Sequence, residues 1–322
     1  MTNSTGRAAT LFSVIIEWEN AELSEFGRTR SMLQTLAVQT RELDRDCWCP
    51  RDLVILYDPA AIDWRLLESI TRDAMGAEPP FAEIKIVPAG GMRYYQLKNF
   101  GATQTHADVI VLLDSDVIPQ SGWLQRLLEP LWKDGVDVVG GNAYVTQETL
   151  YSRAFALFWF FPLRAVSDEL RPSDSFFANN VAFRKWVFDA NPFPQHRKFR
   201  GQCTDLAVTL KAKGFGIYLH EGARVSHPPP NGIRHFVSRA LCAGYDQVCV
   251  ARSPSVRTAW RRCIRNVRDA NRRIARHGAE VALDLPARLI ARAIALAYYA
   301  IFFVGECITL AAPQVVPKYF PV

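Results

Sequence analysis

Ala107-Asp108-Val109-Ile110-Val111-Leu112-Leu113-Asp114-Ser115-Asp116-Val117-Ile118-Pro119 is the stretch on which the fold turns. The apolar run Val109 to Leu113, bounded by polar residues, predicts a buried parallel strand. The carboxyl end of such a strand is where open α/β sheets place ligands. Two carboxylates there repel each other and lose hydration unless a cation joins them. Asp114 and Asp116 are therefore candidates to hold a divalent metal that bridges the protein to a phosphate-bearing ligand. A local alternative stands beside this: aspartate also caps helices, and Asp116 precedes a helical pattern from Ser121 to Leu131.

Outward from this run, strand and helix patterns alternate through residue 226, the signature of a parallel sheet covered by helices. Strands are predicted at Leu11 to Ile16, Leu53 to Tyr57, Glu83 to Val87, Val109 to Leu113, Val136 to Gly140 and Gly216 to Leu219. Helical patterns occupy Arg28 to Thr40, Asp63 to Met75, Tyr94 to His106 and Gly122 to Trp132. Turn signals follow several strands: Tyr57-Asp58-Pro59 after the second, Ala89-Gly90-Gly91 after the third, and the paired aspartates after the fourth. Polar groups thus gather on one edge of the sheet.

The segment Thr149 to Ala165 is rich in aromatics, which suits core packing or a groove for an apolar acceptor. In Ser175 to Arg184 the adjacent amides Asn179 and Asn180 sit inside an apolar stretch. Buried amides need partners, so they tie loops together or face a polar ligand. Pro228-Pro229-Pro230 cannot continue a helix or a central strand and marks the end of the α/β unit, with helices expected beyond it. The expected division is 1–230 for the α/β domain and 231–322 for a basic helical tail.

The net charge of +6 conceals an asymmetry. From Asn231 onward there are 14 Lys or Arg against 5 Asp or Glu, whereas residues 1–230 carry 24 against 27. Residues Arg252 to Arg276 hold nine arginines and one aspartate, with Trp260, Ile264, Val267 and Ile274 near helical spacing. Such a helix suits an anionic membrane surface or a solvated face; aromatic interleaving and a recognised nucleic-acid module are both missing, so nucleic acid is not an expected partner. Ala293 to Ala312 is long enough to span a bilayer but is interrupted by Glu306, so membrane association is expected ahead of a true span. The seven cysteines, with no secretory hydrophobic region ahead of Glu17, point to reduced thiols in the cytoplasm, at the inner face of a membrane. The Cys47-Trp48-Cys49 spacing is too tight for a common zinc site, and no histidine pair has His-x-x-x-His spacing.

Taken together, seven elements in order between residues 11 and 227 resemble the family 2 inverting glycosyltransferases of the GT-A fold. They are the strand Phe12 to Ile16; Asp58 after the second strand; Asn99-Phe100-Gly101; Asp114 and Asp116; Asn180-Val181-Ala182-Phe183-Arg184; Thr204-Asp205-Leu206 opening a helix; and Gly214 to Tyr218 leading to Val225-Ser226-His227. The resemblance implies a Rossmann-like, nucleotide-diphospho-sugar transferase α/β fold with a mostly parallel sheet and a helical C-terminal extension. It also implies a nucleotide-sugar donor, UDP-linked by expectation, and a Mn²⁺ or Mg²⁺ cofactor. On that resemblance Asp116 and His227 are the metal ligands, Asp58, Lys98, Asn99, Asp114 and Asn180 bind the donor, and Asp205 is the catalytic base.

The pattern breaks in two places. Relatives usually carry Glu-Asp-x-Asp-Leu on the acceptor side, with its first aspartate as general base, but this chain has Gln202-Cys203-Thr204-Asp205-Leu206. A thiol, with a reference pKa of about 8.5, is a poor base at neutral pH. The base is then Asp205 or another carboxylate, or the protein binds a nucleotide sugar without efficient transfer. A carboxylate at position 205 is also favourable simply as part of a helix N-terminus. A nucleotidyltransferase is a further alternative. The turn Glu17-Trp18-Glu19-Asn20 is unusual as well, with Glu17 either altering base or acceptor selection or lying in solvent. Sugar and acceptor are not legible.

Overall fold

The computed structural model describes residues 8–18, 26–132, 136–163, 169–196 and 198–320. The chain forms two compact units. The first comprises Met1–Ala143, Ala165–Gln195 and Gln202–Ser226, and the second Tyr144–Arg164, His196–Gly201 and His227–Val322. The last piece of the second unit starts at His227, just before the triple proline, and the unit also takes most of the aromatic segment.

The first unit is built on β1 (Thr10–Glu17), α1 (Phe26–Glu42), β2 (Trp48–Tyr57), α2 (Trp64–Met75), β3 (Glu83–Pro88), α3 (Tyr94–Thr103), β4 (Val109–Asp114), β5 (Ile118–Pro119), α4 (Trp123–Trp132) and β6 (Val138–Val145). It continues with β7 (Leu170–Pro172), β8 (Asn180–Arg184), α6 (Lys185–Ala190), α7 (Gln202–Ala212) and β9 (Ile217–His227). Among the described residues the strands form one sheet in the order β3-β2-β1-β4-β8-β6-β9-β5, with β7 paired to β9. β1 to β4 are mutually parallel. β8 runs antiparallel between β4 and β6. The central sheet is mostly parallel, as the alternating pattern predicts, with β8 reversed between β4 and β6 and further antiparallel pairs where β5 and β7 meet β9.

Burial explains why β4 holds the middle. Val109 to Leu113 are at most 1% exposed, and full burial of each such side chain contributes about 1.5–3 kcal/mol. α3 closes on β1 and β2 through Gly101, where an added Cβ would lie 2.5 Å from Ile15 and 2.6 Å from Leu56. At the opposite end of the sheet, Asp52 of β2 is buried with Lys85 at 3.1 Å and the Ser13 hydroxyl at 3.2 Å. Burial acts to raise this carboxyl, but Thr105, Lys85 and Ser13 outweigh it and hold it below the usual carboxylate range. That end is a structural anchor. The register Glu17↔Asp114 and Tyr57↔Pro88 aligns the carboxyl ends of β1 to β4 along a single edge.

The second unit contains α5 (Leu150–Phe158), α8 (Gly232–Val250), α9 (Val256–His277), α10 (Leu285–Ala311) and α11 (Val315–Tyr319). The aromatic segment supplies its core: Phe155 of α5 packs on Phe236 of α8 at 6.0 Å and on Tyr298 of α10 at 5.8 Å. Arg164 and Ala165, at the end of that predicted segment, lie outside the described residues. α8 and α10 meet at glycines, since a Cβ on Gly305 would sit 2.5 Å from the Leu241 carbonyl oxygen and one on Gly244 would collide with the Phe302 carbonyl. Glu306 of α10 is wholly buried and paired with Arg262 of α9. Burial pushes its carboxyl up, and Arg262 opposes that shift. α10 is 27 residues long with an 18-residue window of mean hydropathy 1.9, enough by length and composition to cross a membrane.

Candidate active site

Asp114 is the last residue of β4 and Asp116 lies just beyond it, both buried. Asp116 does not cap the following helix, which begins only at Trp123. The Asp114 carboxylate is held from below. Lys98 Nζ donates to its Oδ1 at 2.7 Å, and Tyr94 Oη donates to the same oxygen at 2.8 Å. Tyr94 and Lys98 are four apart on α3, so one helix face delivers both, and the Lys98 ammonium sits 4.6 Å over the Tyr94 ring. Lys98 is 0% exposed, so it serves Asp114 from inside the core.

The Asp116 segment is fixed through its backbone. Arg28, near the start of α1, donates through Nε to the Asp116 carbonyl at 2.5 Å and through Nη2 to the Ser226 carbonyl and hydroxyl at 2.7 and 2.9 Å. β5 pairs with β9 in the register Ile118↔Ser226, and His227, the last residue of β9, follows directly. One ligand-capable atom from each of Asp114, Asp116 and His227 lies within 4.8 Å of the others. His227 Nδ1 is 2.6 Å from the Pro228 carbonyl, which can only accept. A neutral His227 that makes this bond carries its proton on Nδ1 and keeps the Nε2 lone pair, the arrangement common in metal-ligating histidines. Two carboxylate oxygens and one imidazole nitrogen make a donor set that fits Mn²⁺ and, less specifically, Mg²⁺.

The remaining predicted residues are distributed differently. Asp58 follows β2 on the same sheet edge, where its Oδ1 accepts from Ala60 N at 2.9 Å. Asn99 is spent on the backbone of Phe193, donating to its carbonyl and accepting from its amide, both at 2.9 Å. Asn180 is 0% exposed; it donates to the carbonyls of Asn142 and Ala223 at 2.9 and 2.8 Å and accepts from Trp123 Nε1 at 2.7 Å. Of the alternatives the sequence leaves for these amides, Asn180 takes the one that ties elements together. Asp205 lies in the first turn of α7 and is half-buried. Cys203, two residues earlier, has its sulfur 3.6 Å from Tyr95 Oη, and Tyr95 stacks edge-on against Tyr94 at 4.8 Å.

Glu17 does not lie in solvent: it is 0% exposed at the end of β1, paired in register with Asp114. Glu19 and Asn20 of that turn lie outside the described residues. Trp18 Nε1, Ser115 Oγ and Asn179 Oδ1 are buried without a hydrogen-bond partner among the described residues. Register places all three around the end of β4: Trp18 follows Glu17, and Asn179 precedes Asn180, the partner of Leu113. Buried polar atoms left unpaired cost about 1–3 kcal/mol each, so a polar ligand at this edge has ready partners.

Sequence reasoning misses Arg28 and Tyr94. The four-residue spacing of Tyr94 and Lys98 ahead of an acidic strand end was an available signal. Arg28 offered none, because its partners include backbone carbonyls far along the chain.

A fold of this topology, with acidic residues at the end of its central strand, is that of the GT-A glycosyltransferases. Residues 85–189, about a third of the chain, match the family model described as Glycosyl transferase family 2. No curated protein matches the chain. Among solved structures it is similar to the mannosyltransferase PcManGT from Pyrobaculum calidifontis in complex with GDP-Man and Mn²⁺, with a TM-score of 0.56 at 13% identity over 97% of this chain and 92% of that one. It is similar also to S. aureus TarS 1-349 in complex with UDP-GlcNAc, with a TM-score of 0.50 at 12% identity over 93% and 91%. The match to GalNAc-T7 with UDP, GalNAc and Mn²⁺ has a TM-score of 0.50 at 14% identity, over 75% of this chain and 51% of that one. At these identities the structural likeness speaks for the fold.

Proposed function

We propose that the protein is a metal-dependent inverting glycosyltransferase that moves a sugar from a nucleoside diphosphate donor, UDP-linked, to an acceptor hydroxyl, working at a membrane surface on the cytoplasmic side. The observation that carries this reading is the convergence of Asp114, Asp116 and His227 at the end of β4. Asp114, Asp116 and His227 would hold Mn²⁺ or Mg²⁺, which supplies Lewis-acid stabilisation of charge on a departing diphosphate.

The chain's own residues prepare the site in advance. Lys98 and Tyr94 fix Asp114, and Arg28 fixes the Asp116 backbone against β9, so little reorganisation is left for the reaction. Trp18, Ser115 and Asn179 offer unpaired polar atoms to the donor. In the transfer, the acceptor oxygen bonds to the anomeric carbon as the bond from that carbon to the diphosphate oxygen breaks. Asp205 takes the acceptor proton. Direct in-line attack inverts the anomeric configuration.

The test is a thermal-shift panel of UDP- and GDP-sugars with and without Mn²⁺, on the wild type and Asp116→Asn. A donor at a hundred times its dissociation constant stabilises by about 2.7 kcal/mol. The expected result is donor stabilisation that needs Mn²⁺ and disappears in Asp116→Asn. Equal shifts in the variant, or shifts indifferent to the metal, defeat the proposal.

A noncatalytic nucleotide-sugar binder is the second reading, favoured by Cys203 where relatives carry the base. It is distinguished by product formation rather than by binding.

A further inference from the structure

We propose that the exposed face shared by α9 and α10 is an in-plane docking surface for an anionic lipid bilayer, with α10 lying along the interface and not crossing it. This deepens the membrane-surface reading above and rests on it.

α9 divides its residues by face. Arg257, Arg261, Arg265, Arg268, Arg272 and Arg276 are all exposed, and their spacing of three and four residues aligns them in one row. Beside that row runs an apolar stripe, Val256, Trp260 and Ile264, which are 56%, 53% and 51% exposed. Arg262 alone turns inward, to Glu306. The acidic residue of α9, Asp269, lies 3.6 Å from Arg272, leaving the rest of the row with no carboxylate from its own helix.

α10 continues the apolar surface. Leu289, Leu296 and Val304 are 64%, 54% and 47% exposed, and Ala293 and Ala300 fill the positions between them on the same helical face. Trp260 joins the two stripes, because it is half-exposed while its ring packs on Phe303 of α10 at 5.5 Å. An apolar patch of this extent, flanked by a row of arginines, is complementary to a surface whose headgroups are negative and whose interior is hydrocarbon.

The packing argues against a span. Trp260 meets Phe303, Cys263 Sγ lies 3.5 Å from the Tyr299 carbonyl, and Arg262 pairs with Glu306, so α9 is locked antiparallel along α10. If α10 crossed the bilayer, α9 would be drawn in beside it with its exposed arginines. Each arginine near the bilayer centre costs about 2.5–3.5 kcal/mol even on insertion-based scales. Lying in the plane, the same arginines reach the headgroups at no such cost, each contributing attraction.

The experiment uses the purified full chain and vesicles of phosphatidylcholine alone or mixed with phosphatidylserine. The wild type should co-sediment with the mixed vesicles only and be released by high salt and by alkaline carbonate. Arg261→Glu/Arg265→Glu/Arg268→Glu should weaken that binding by about a hundredfold or more, from roughly fivefold per basic residue. Leu289→Ser/Leu296→Ser should weaken it as well. Both variants change exposed positions, so wild-type melting and unchanged donor-induced shifts with Mn²⁺ would show that the fold and the donor site are intact. Failure of the wild type to bind either vesicle removes the membrane reading and this proposal with it. Binding that both variants retain overturns this surface while leaving membrane association standing. Resistance to carbonate overturns the in-plane arrangement. A fall in oligomeric mass in the leucine variant, with no vesicle binding by the wild type, assigns the face to a second copy of the chain instead.

Discussion

Replacing Lys98 with methionine tests how the acidic edge is held together. Lys98 has no exposed surface, and its ammonium lies 2.7 Å from an Asp114 carboxylate whose side chain is 5% exposed. At an effective dielectric of about 20, the raw attraction at that distance is about 6 kcal/mol, most of it offset by the cost of desolvating both charges. Removing one partner forfeits the attraction and leaves the other charge buried, which costs about 3–5 kcal/mol. For a unit of 150–250 residues this lowers the melting temperature by about 10 °C. Adding Asp114→Leu to Lys98→Met removes the stranded carboxylate. What then remains is mainly the Tyr94 hydroxyl without its acceptor, at about 1–3 kcal/mol, so the double variant should be more stable than Lys98→Met alone. Denaturant melts of the four proteins in the cycle give the coupling directly. A Lys98→Met cost below about 1 kcal/mol, or strictly additive single changes, would refute the account of Asp114 as a carboxylate held by a buried cation.

Three further outcomes are expected. Gly305→Val should destabilise the helical unit by about 3 kcal/mol or more while leaving the first unit's melt in place, because its side chain would overlap the Leu241 backbone; two-transition calorimetry reads both. Asp246, which accepts from the amides of Phe199 and Arg200 at 2.6 and 2.9 Å, has its carboxyl pushed up by burial to about 6. The folded state therefore holds this proton more tightly than the unfolded state, so the contribution declines as pH rises from about 4 to about 6 and is flat above, by at most about 3 kcal/mol; the difference in melting between wild type and Asp246→Asn should trace that slope and vanish in its absence. Asp205→Asn should reduce transfer by at least about a hundredfold with donor binding retained, and product formation that survives it assigns the base elsewhere.

How far the sequence could be read depends on where each residue's partner lies. β4 was legible because its apolar run is continuous, and α3 because Tyr94, Leu97 and Lys98 recur at helical spacing. β8 was not, since five residues opening on an asparagine give neither length nor alternation. Its identity as a strand comes from pairing with β4 and β6 on both sides. β9 extends well beyond the predicted Gly216 to Leu219 because His220, Glu221 and Arg224 look like a loop. Glu221 is in fact buried, with its carboxylate on Arg171 at 2.6 and 2.9 Å. The acidic pair was legible as chemistry, and His227 only through the family resemblance. Asn180 was legible as an amide in need of partners and Asn99 only through the family resemblance, and the structure gives them backbone and indole partners.

The two sides of the proposed reaction are mechanically joined, which bears on what Cys203 means. From Asp114 the contacts run through the Tyr94 hydroxyl, the Tyr94–Tyr95 ring pair and the Tyr95 hydroxyl to the Cys203 sulfur. Tyr95 is braced on its other side by Phe193 at 4.8 Å, and Phe193 is in turn clamped by Asn99. The start of α7 is therefore positioned by the same aromatic stack that supports the acidic edge, with a cysteine where the resemblance leads one to expect a carboxylate. Aspartate is close to cysteine in size, and the Tyr95 hydroxyl can donate to it, so Cys203→Asp can be accommodated without repacking. Activity that appears only in Cys203→Asp would mean that the natural chain keeps the donor site and has given up the base. Activity already present in the wild type and lost with Asp205 would mean that the helix start presents its second acidic position instead. In either case the fold supplies the same rigid support, and the chemistry turns on which side chain of the first turn of α7 reaches the acceptor.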